Sequence, residues 1–137
     1  MRIAARDGVL LSANLWLPRA QFAGQQFPVV LEMIPYRKDD WRYEADHARM
    51  SYLAQRGFAG CRVDVRGTGS SAGVALDEYT AAETQDGCDV VAWLAAQPWC
   101  ISLCATAAAR AGCTPHGRSR LRTRGLCSRG GPQKKLR

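Results

Sequence analysis

Apolar residues form short runs that alternate with polar, glycine-containing connections. Residues 9–17 place leucine and alanine at alternate positions until Pro18, which predicts a half-buried strand. Residues 27–34, FPVVLEMI, are almost continuously apolar, which predicts a strand buried on both faces. Residues 58–65 form a third apolar run that leads directly into the glycine-rich segment 66–73. We therefore predict a strand that ends in a sharp turn.

Two segments have the period of a helix instead. Residues 46–56 carry an apolar stripe, with Asp46 as the expected N-cap and Gly57 as the end. Residues 76–98 predict a longer helix that Pro98 terminates. The resulting order of strand, strand, helix, strand, helix predicts an α/β fold with a parallel sheet.

The pattern changes abruptly at residue 101. Residues 101–137 contain one isoleucine, no valine, no aromatic residue and no acid. We predict that they supply no core strand, so that the strand at 58–65 keeps an exposed edge. The expected organisation is a partial sheet with two helices over residues 1–100 and a disordered basic tail over residues 101–137.

The net charge of +7 belongs to the tail. Residues 1–100 hold ten Lys/Arg and twelve Asp/Glu, whereas residues 101–137 hold nine Lys/Arg. The tail lacks aromatic residues for base stacking, so we expect no specific nucleic-acid recognition. Its metal-ligand types lack the paired short spacing of zinc sites, so we expect no metal and no cofactor. These residues are Cys104, Cys113, His116 and Cys127.

Location in the cell is inferred from two absences. No segment resembles a secretory signal, and no run of about 18 apolar residues predicts a membrane span. Cys61 and Cys88 lie in apolar surroundings and are interpreted as small buried residues of a reducing compartment, with disulfide partners as the alternative. The expected localisation is cytoplasmic.

Several motifs occur in order along residues 3–100 and resemble the opening of one enzyme family. They are 6–11 (RDGVLL) with 14–18 (NLWLP), 28–32 (PVVLE) with 34–38 (IPYRK), 56–58 (RGF), 64–73 (DVRGTGSSAG) and 86–100 (DGCDVVAWLAAQPWC). The family is that of the X-Pro dipeptidyl-peptidase-like serine hydrolases, which includes the cocaine-esterase-type and α-amino-acid-ester-type acyl hydrolases.

The resemblance implies an α/β-hydrolase fold in which a serine attacks the carbonyl of a small ester or peptide substrate, assisted by a histidine and an aspartate. It places the serine on the strand after residues 97–100, but from Ile101 the sequence departs from the family. The aspartate and histidine of full-length members lie further along. The resemblance therefore implies a truncated hydrolase that is inactive alone.

The resemblance also assigns a role to Tyr36. In the family, the tyrosine of the Pro-Tyr pair after the buried strand donates its hydroxyl to the oxyanion. The residues alone leave a second interpretation open, in which Tyr36 is a strand-end aromatic half-buried against the sheet.

Two features imitate catalytic residues. Residues 69–73, GSSAG, match the G-x-S-x-G pattern, but residues 66–69 separate the strand from the serines and no good helix start follows. We interpret the segment as a flexible loop over the site, with Arg66 fixing it by hydrogen bonds. His47 is interpreted as a surface residue of the first helix.

Two hypotheses account for the tail. Its Ala, Arg, Gly and Cys richness is what a shifted reading frame of G+C-rich DNA tends to produce. Alternatively, the chain is a small basic binding protein whose tail contacts nucleic acid or a metal. A salt-sensitive DNA mobility shift that requires the tail would favour that second hypothesis.

Overall fold

The computed structural model describes residues 1–78 and 80–105, except for the side chains of residues 104 and 105. Within them the chain forms five strands and two helices. In order these are β1 (Arg2–Ala4), β2 (Leu10–Trp16), β3 (Phe27–Ile34), α1 (Tyr43–Gln55), β4 (Ala59–Asp64), α2 (Ala81–Ala95) and β5 (Cys100–Ala105). Neither helix in this part of the chain has the length and apolar character needed to cross a bilayer.

The strands form one mixed sheet in the order β1-β2-β4-β3-β5. β3 is parallel to both β4 and β5, whereas β2 is antiparallel to β1 and β4. The α/β class is confirmed, but the sheet is not purely parallel, because the chain enters it through the β1–β2 hairpin. β1 has only three residues, and the sequence analysis did not predict it.

The central position of β4 corrects the prediction of an exposed edge at 58–65. β4 pairs with β2 on one side and with β3 on the other, and all six of its residues are buried. Sequence order does not reveal this arrangement, because β4 inserts between two strands that precede it in the chain.

The prediction that no strand follows residue 100 is also wrong. β5 comprises Cys100–Ala105 and pairs with β3 through a register shift between Phe27 and Pro28. Pairing with a buried parallel neighbour stabilises a segment with few β-branched residues, since sheet propensity depends strongly on context. Residues 106–137 lie outside the described part, so the predicted tail remains a prediction there.

The core lies between the sheet and α2. Its central members are Leu11, Val29, Leu31, Val63, Val90 and Leu94, each no more than 1% exposed. α2 begins later than predicted, because the side chain of Thr80 accepts a hydrogen bond from the backbone N–H of Glu83 and caps the helix there. Leu76 consequently lies in the preceding loop, 89% exposed.

α1 covers the opposite face of the sheet. Asp46 is not its N-cap, as was predicted, but lies within its first turns and is buried. Its carboxylate forms an ion pair with Arg62 of β4, whose Nε lies 3.0 Å from Glu32 Oε2. The buried position of Asp46 is explained by Arg62, because a guanidinium removed from water requires carboxylate partners. Gly57, with a φ of +83°, follows the helix as predicted.

Candidate functional site

The candidate site lies at the carboxyl ends of β3 and β4, where α/β folds usually place chemistry. We call residues 35–40 after β3 the first loop, and residues 65–73 after β4 the second loop. Tyr36 lies in the first loop with 77% of its surface exposed. The alternative of a half-buried aromatic is therefore wrong. The oxyanion role of Tyr36 stays a prediction.

The first loop contains a backbone conformation that side chains rarely adopt. Arg37 has a φ of +43°, and no other non-glycine residue in the described part of the chain has a positive φ. The next residue, Lys38, has a side chain only 3% exposed, and its ammonium pairs with Asp39 and lies 3.7 Å from Asp64 Oδ2. The sequence analysis attached no role to Lys38 or Asp64.

Asp64 is the last residue of β4 and is 1% exposed. Its carboxylate accepts a hydrogen bond from the backbone N–H of Lys38 at 2.7 Å and another from that of Ser70 at 2.9 Å. These bonds join the first loop to the second. One signal in the sequence could have identified Asp64: an acidic residue directly between a buried strand and a glycine-rich turn.

Arg66 fixes the second loop, as predicted. Its guanidinium donates to Asp86 of α2 at 2.6 Å and to Asp7 of the β1–β2 turn at 2.9 Å. Asp86 is fully buried, so Arg66 supplies the partner that a buried carboxylate requires.

The serines of the second loop are engaged in structure. The hydroxyl of Ser71 donates to the backbone carbonyl of Asp64 at 2.7 Å and accepts from the backbone N–H of Ser12 at 2.8 Å. Ser70 binds Asp64 through its backbone. These contacts agree with the interpretation of residues 69–73 as a loop rather than a nucleophile elbow.

His47 lies on the exposed side of α1, as predicted. Its Nδ1 accepts a hydrogen bond from Trp16 Nε1 at 3.0 Å, and its ring stacks on Tyr43 with centroids 5.5 Å apart. These residues line an open groove between β2 and α1. Among the residues that the structure describes, His47 bonds to an indole and to no serine hydroxyl that it could activate.

The cysteines divide into two groups. Cys61 is buried and has a free thiol whose pKa burial raises to about 12, and Cys100 is also free. Cys88 is disulfide-bonded, so its interpretation as a buried thiol is wrong. The side chains of Cys104, Cys113, His116 and Cys127 lie outside the described residues. Among residues 1–78 and 80–103, no group of three or more metal-ligating side chains is close enough to hold an ion.

Comparison with known proteins places this geometry in context. Residues 7–107 match the model of the family described as X-Pro dipeptidyl-peptidase (S15 family). A protein of Mycobacterium bovis named "Putative serine esterase" is 30% identical over 113 aligned residues, which cover 72% of this chain and 18% of that protein. A Mycobacterium tuberculosis protein of the same description matches equally well. The chain thus spans about one fifth of the length of these curated relatives.

Solved structures show the same fold. A CocE/NonD family hydrolase from Staphylococcus aureus superposes with a TM-score of 0.62 at 22% identity, covering 77% of this chain and 22% of that one. Est1E from Butyrivibrio proteoclasticus, solved with ferulic acid bound, gives a TM-score of 0.61 at 20% identity, covering 77% and 41% respectively. At these identities the likeness concerns the fold.

Proposed function

Because the chain belongs to the X-Pro dipeptidyl-peptidase (S15) family, we propose that it is the N-terminal portion of a serine hydrolase that cleaves small esters or peptides through an acyl-serine intermediate. One observation carries this proposal. The family match ends at residue 107, two residues beyond β5, the strand after which the resemblance places the nucleophile. The chain therefore contains the sheet that leads to the elbow and diverges where the serine is due.

The sequence beyond β5 supports the absence of that serine. No Gly-x-Ser-x-Gly pattern occurs in residues 100–137, and the earlier match at 69–73 uses the Ser71 hydroxyl to hold the second loop. A nucleophile elbow holds its serine exposed at a tight strand-to-helix turn. We propose that this chain has no serine-hydrolase turnover by itself.

Tyr36 is the site residue that the chain retains. It follows β3 directly after Pro35, and the residue is 77% exposed. A donor aimed at the developing oxyanion is worth about 2.7–4 kcal/mol in a complete site. We propose that role for Tyr36 in the complete hydrolase, with the nucleophile, histidine and aspartate supplied by sequence outside this chain.

A fluorophosphonate probe tests the proposal, because it labels activated serines covalently. We expect no labelled serine by mass spectrometry, and no hydrolysis of p-nitrophenyl butyrate or of alanyl-prolyl p-nitroanilide above the buffer rate. The matched variant Ser71→Ala should behave identically. Labelling of any serine in the wild-type chain, abolished by substitution of that serine, would show that the chain is a complete catalyst.

The encoding DNA provides an independent check. If the segment after Cys100 results from a shifted reading frame, another frame just past that codon encodes a glycine-rich strand followed by an elbow. If neither other frame encodes one, the frameshift explanation is wrong, although the lack of a nucleophile in this chain would stand.

A further inference from the structure

The carboxylate of Asp64 contacts both loops of the candidate site. Oδ1 accepts from the Lys38 backbone N–H of the first loop, and Oδ2 accepts from the Ser70 backbone N–H of the second loop. The backbone carbonyl of the same residue accepts from the Ser71 hydroxyl. A single buried residue at the end of β4 is therefore hydrogen-bonded to both loops.

The bond to Lys38 holds a turn that would otherwise relax. Arg37, directly between Tyr36 and Lys38, has a φ of +43°, a conformation that is unfavourable for a residue with a side chain. Such conformations persist where surrounding contacts determine them. The hydrogen bond to a charged, buried acceptor is the contact that fixes the residue after Arg37, and so it fixes the direction in which Tyr36 leaves β3.

The second loop is shaped to admit the carboxylate. A Cβ added at Gly69 would lie 2.3 Å from Asp64 Oδ2 and 2.5 Å from its Cγ, so only glycine fits there. Gly69 also has a φ of +53°. The Lys38 ammonium lies 3.7 Å from the same Oδ2 and compensates the buried charge. The close approach and the compensation show that the position of this carboxylate is tightly constrained.

We propose that Asp64 is the positioning residue for Tyr36. Its carboxylate sets the distance between the two loops. It also holds the strained turn at Arg37. Together these contacts determine the position of the Tyr36 hydroxyl at the end of the sheet. The proposal rests on the oxyanion role proposed for Tyr36, and Asp64 itself contacts no reacting atom. It predicts that a change in the second loop alters Tyr36 in the first loop through Asp64.

The test combines fluorine NMR and amide hydrogen exchange on the whole chain. 3-Fluorotyrosine is incorporated, and the Tyr36 signal is assigned with Tyr36→Phe. In Asp64→Asn, one amide oxygen replaces two acceptors, so we expect the Lys38 or Ser70 N–H to exchange about tenfold faster. We expect the Tyr36 fluorine signal to shift or broaden, while the signals of Tyr43 and Tyr52 and the exchange of the β4 amides Cys61 and Val63 stay as in the wild type.

Two further variants keep the test decisive. Gly69→Ala displaces the carboxylate from the second loop and should move the Tyr36 signal in the same way, even if Asp64→Asn does not fold. Asp89→Asn alters an aspartate of α2 that is bonded to Arg6 and lies outside both loops, and should leave the Lys38 amide and the Tyr36 signal unchanged.

Two results would overturn the proposal. One is an unchanged Tyr36 signal in both Asp64→Asn and Gly69→Ala. The other is uniformly faster exchange through β4, which would mean that Asp64 only adds stability. Labelling by a serine probe would contradict the proposed function without affecting this result, because the exchange and fluorine measurements report the loops and not turnover.

Discussion

Arg66 and Asp86 form a bidentate pair in which the carboxylate is fully buried and the guanidinium side chain keeps 17% of its surface exposed. The same guanidinium reaches Asp7 at 2.9 Å. One side chain therefore ties the second loop to α2 and to the β1–β2 turn. The glycine-rich segment is held in place by charge pairing in addition to its own turns.

Removing this guanidinium should destabilise the fold. Arg66→Met leaves the buried Asp86 without a partner, and breaking a buried pair in this way costs about 3–5 kcal/mol. The matched control is Arg6→Met, which breaks the pair with Asp89, where the Arg6 side chain is 58% exposed. That change should cost much less, because an exposed ion pair is screened by solvent and contributes little to stability. Urea unfolding followed by tryptophan fluorescence measures the free energy of unfolding of both variants. Equal losses would contradict the expected difference between the buried and the exposed pair.

Acid should weaken the attachment of the β1–β2 turn. Hydrogen bonds from Arg66 lower the pKa of Asp7, and hydrogen bonds from Arg6 lower the pKa of Asp89. A carboxylate with a depressed folded pKa contributes stability above its unfolded pKa, about 3.9, and loses it as pH falls through the folded value.

We therefore expect the urea midpoint to fall as pH drops from about 5 to 3. The double variant Asp7→Asn with Asp89→Asn should show a shallower fall, and 1 M NaCl should weaken the effect of these exposed pairs. An identical pH profile in the double variant would show that other carboxyl groups dominate.

Cys61 should be inert in the folded protein. Burial in β4 raises the pKa of its thiol to about 12, so neither access nor thiolate is available at pH 8. Iodoacetamide at pH 8 should leave Cys61 unmodified in buffer and modify it in urea, as mapped by peptide mass spectrometry. Cys100, which is partly exposed, serves as the internal comparison. Modification of Cys61 at the Cys100 rate in buffer would show that β4 opens readily.

Alanine at Gly69 should cost more than alanine at Gly8. Both glycines have a positive φ, +53° and +85°, so both substitutions carry a backbone penalty of about 1–2 kcal/mol. Only Gly69 adds a clash with Asp64, which should raise its loss by a further 1–3 kcal/mol or so, because overpacking displaces a fixed group. Chemical denaturation measures the two losses. Equal losses of unfolding free energy would mean that the Asp64 carboxylate moves aside without destabilising the fold.

The local elements were largely predictable, because side-chain period and punctuation are local properties. β3 lies at 27–34 as predicted, Gly57 follows α1, and β4 lies within the predicted run. The predicted start of α2 was less accurate. The helix begins after Thr80 instead of at Leu76, because the Thr80 side chain caps it.

The candidate site was predictable only in part. Tyr36 and Arg66 were identified from motifs, and Arg66 makes the hydrogen bonds expected of it. Lys38, Asp64 and Asp86 were not identified, because a single charged residue in a sequence carries no sign of its partner. Lys38 and Asp64 are 26 residues apart and Arg66 and Asp86 are 20 apart, and these pairs meet only when β3, β4 and α2 pack together.

By itself the sequence determined the α/β class and the places of the main strands and helices, whereas the predicted departure from the family at Ile101 came too early, since the family match extends to residue 107. These follow from periodicity, glycine and proline positions, and ordered motifs, all of which act over short distances. Only the tertiary structure decided that β4 is central, that β5 joins the sheet, and that Asp64 connects two loops. The physical reason is that strand pairing and burial of charge depend on neighbours distant in the chain, whose identity no local pattern records.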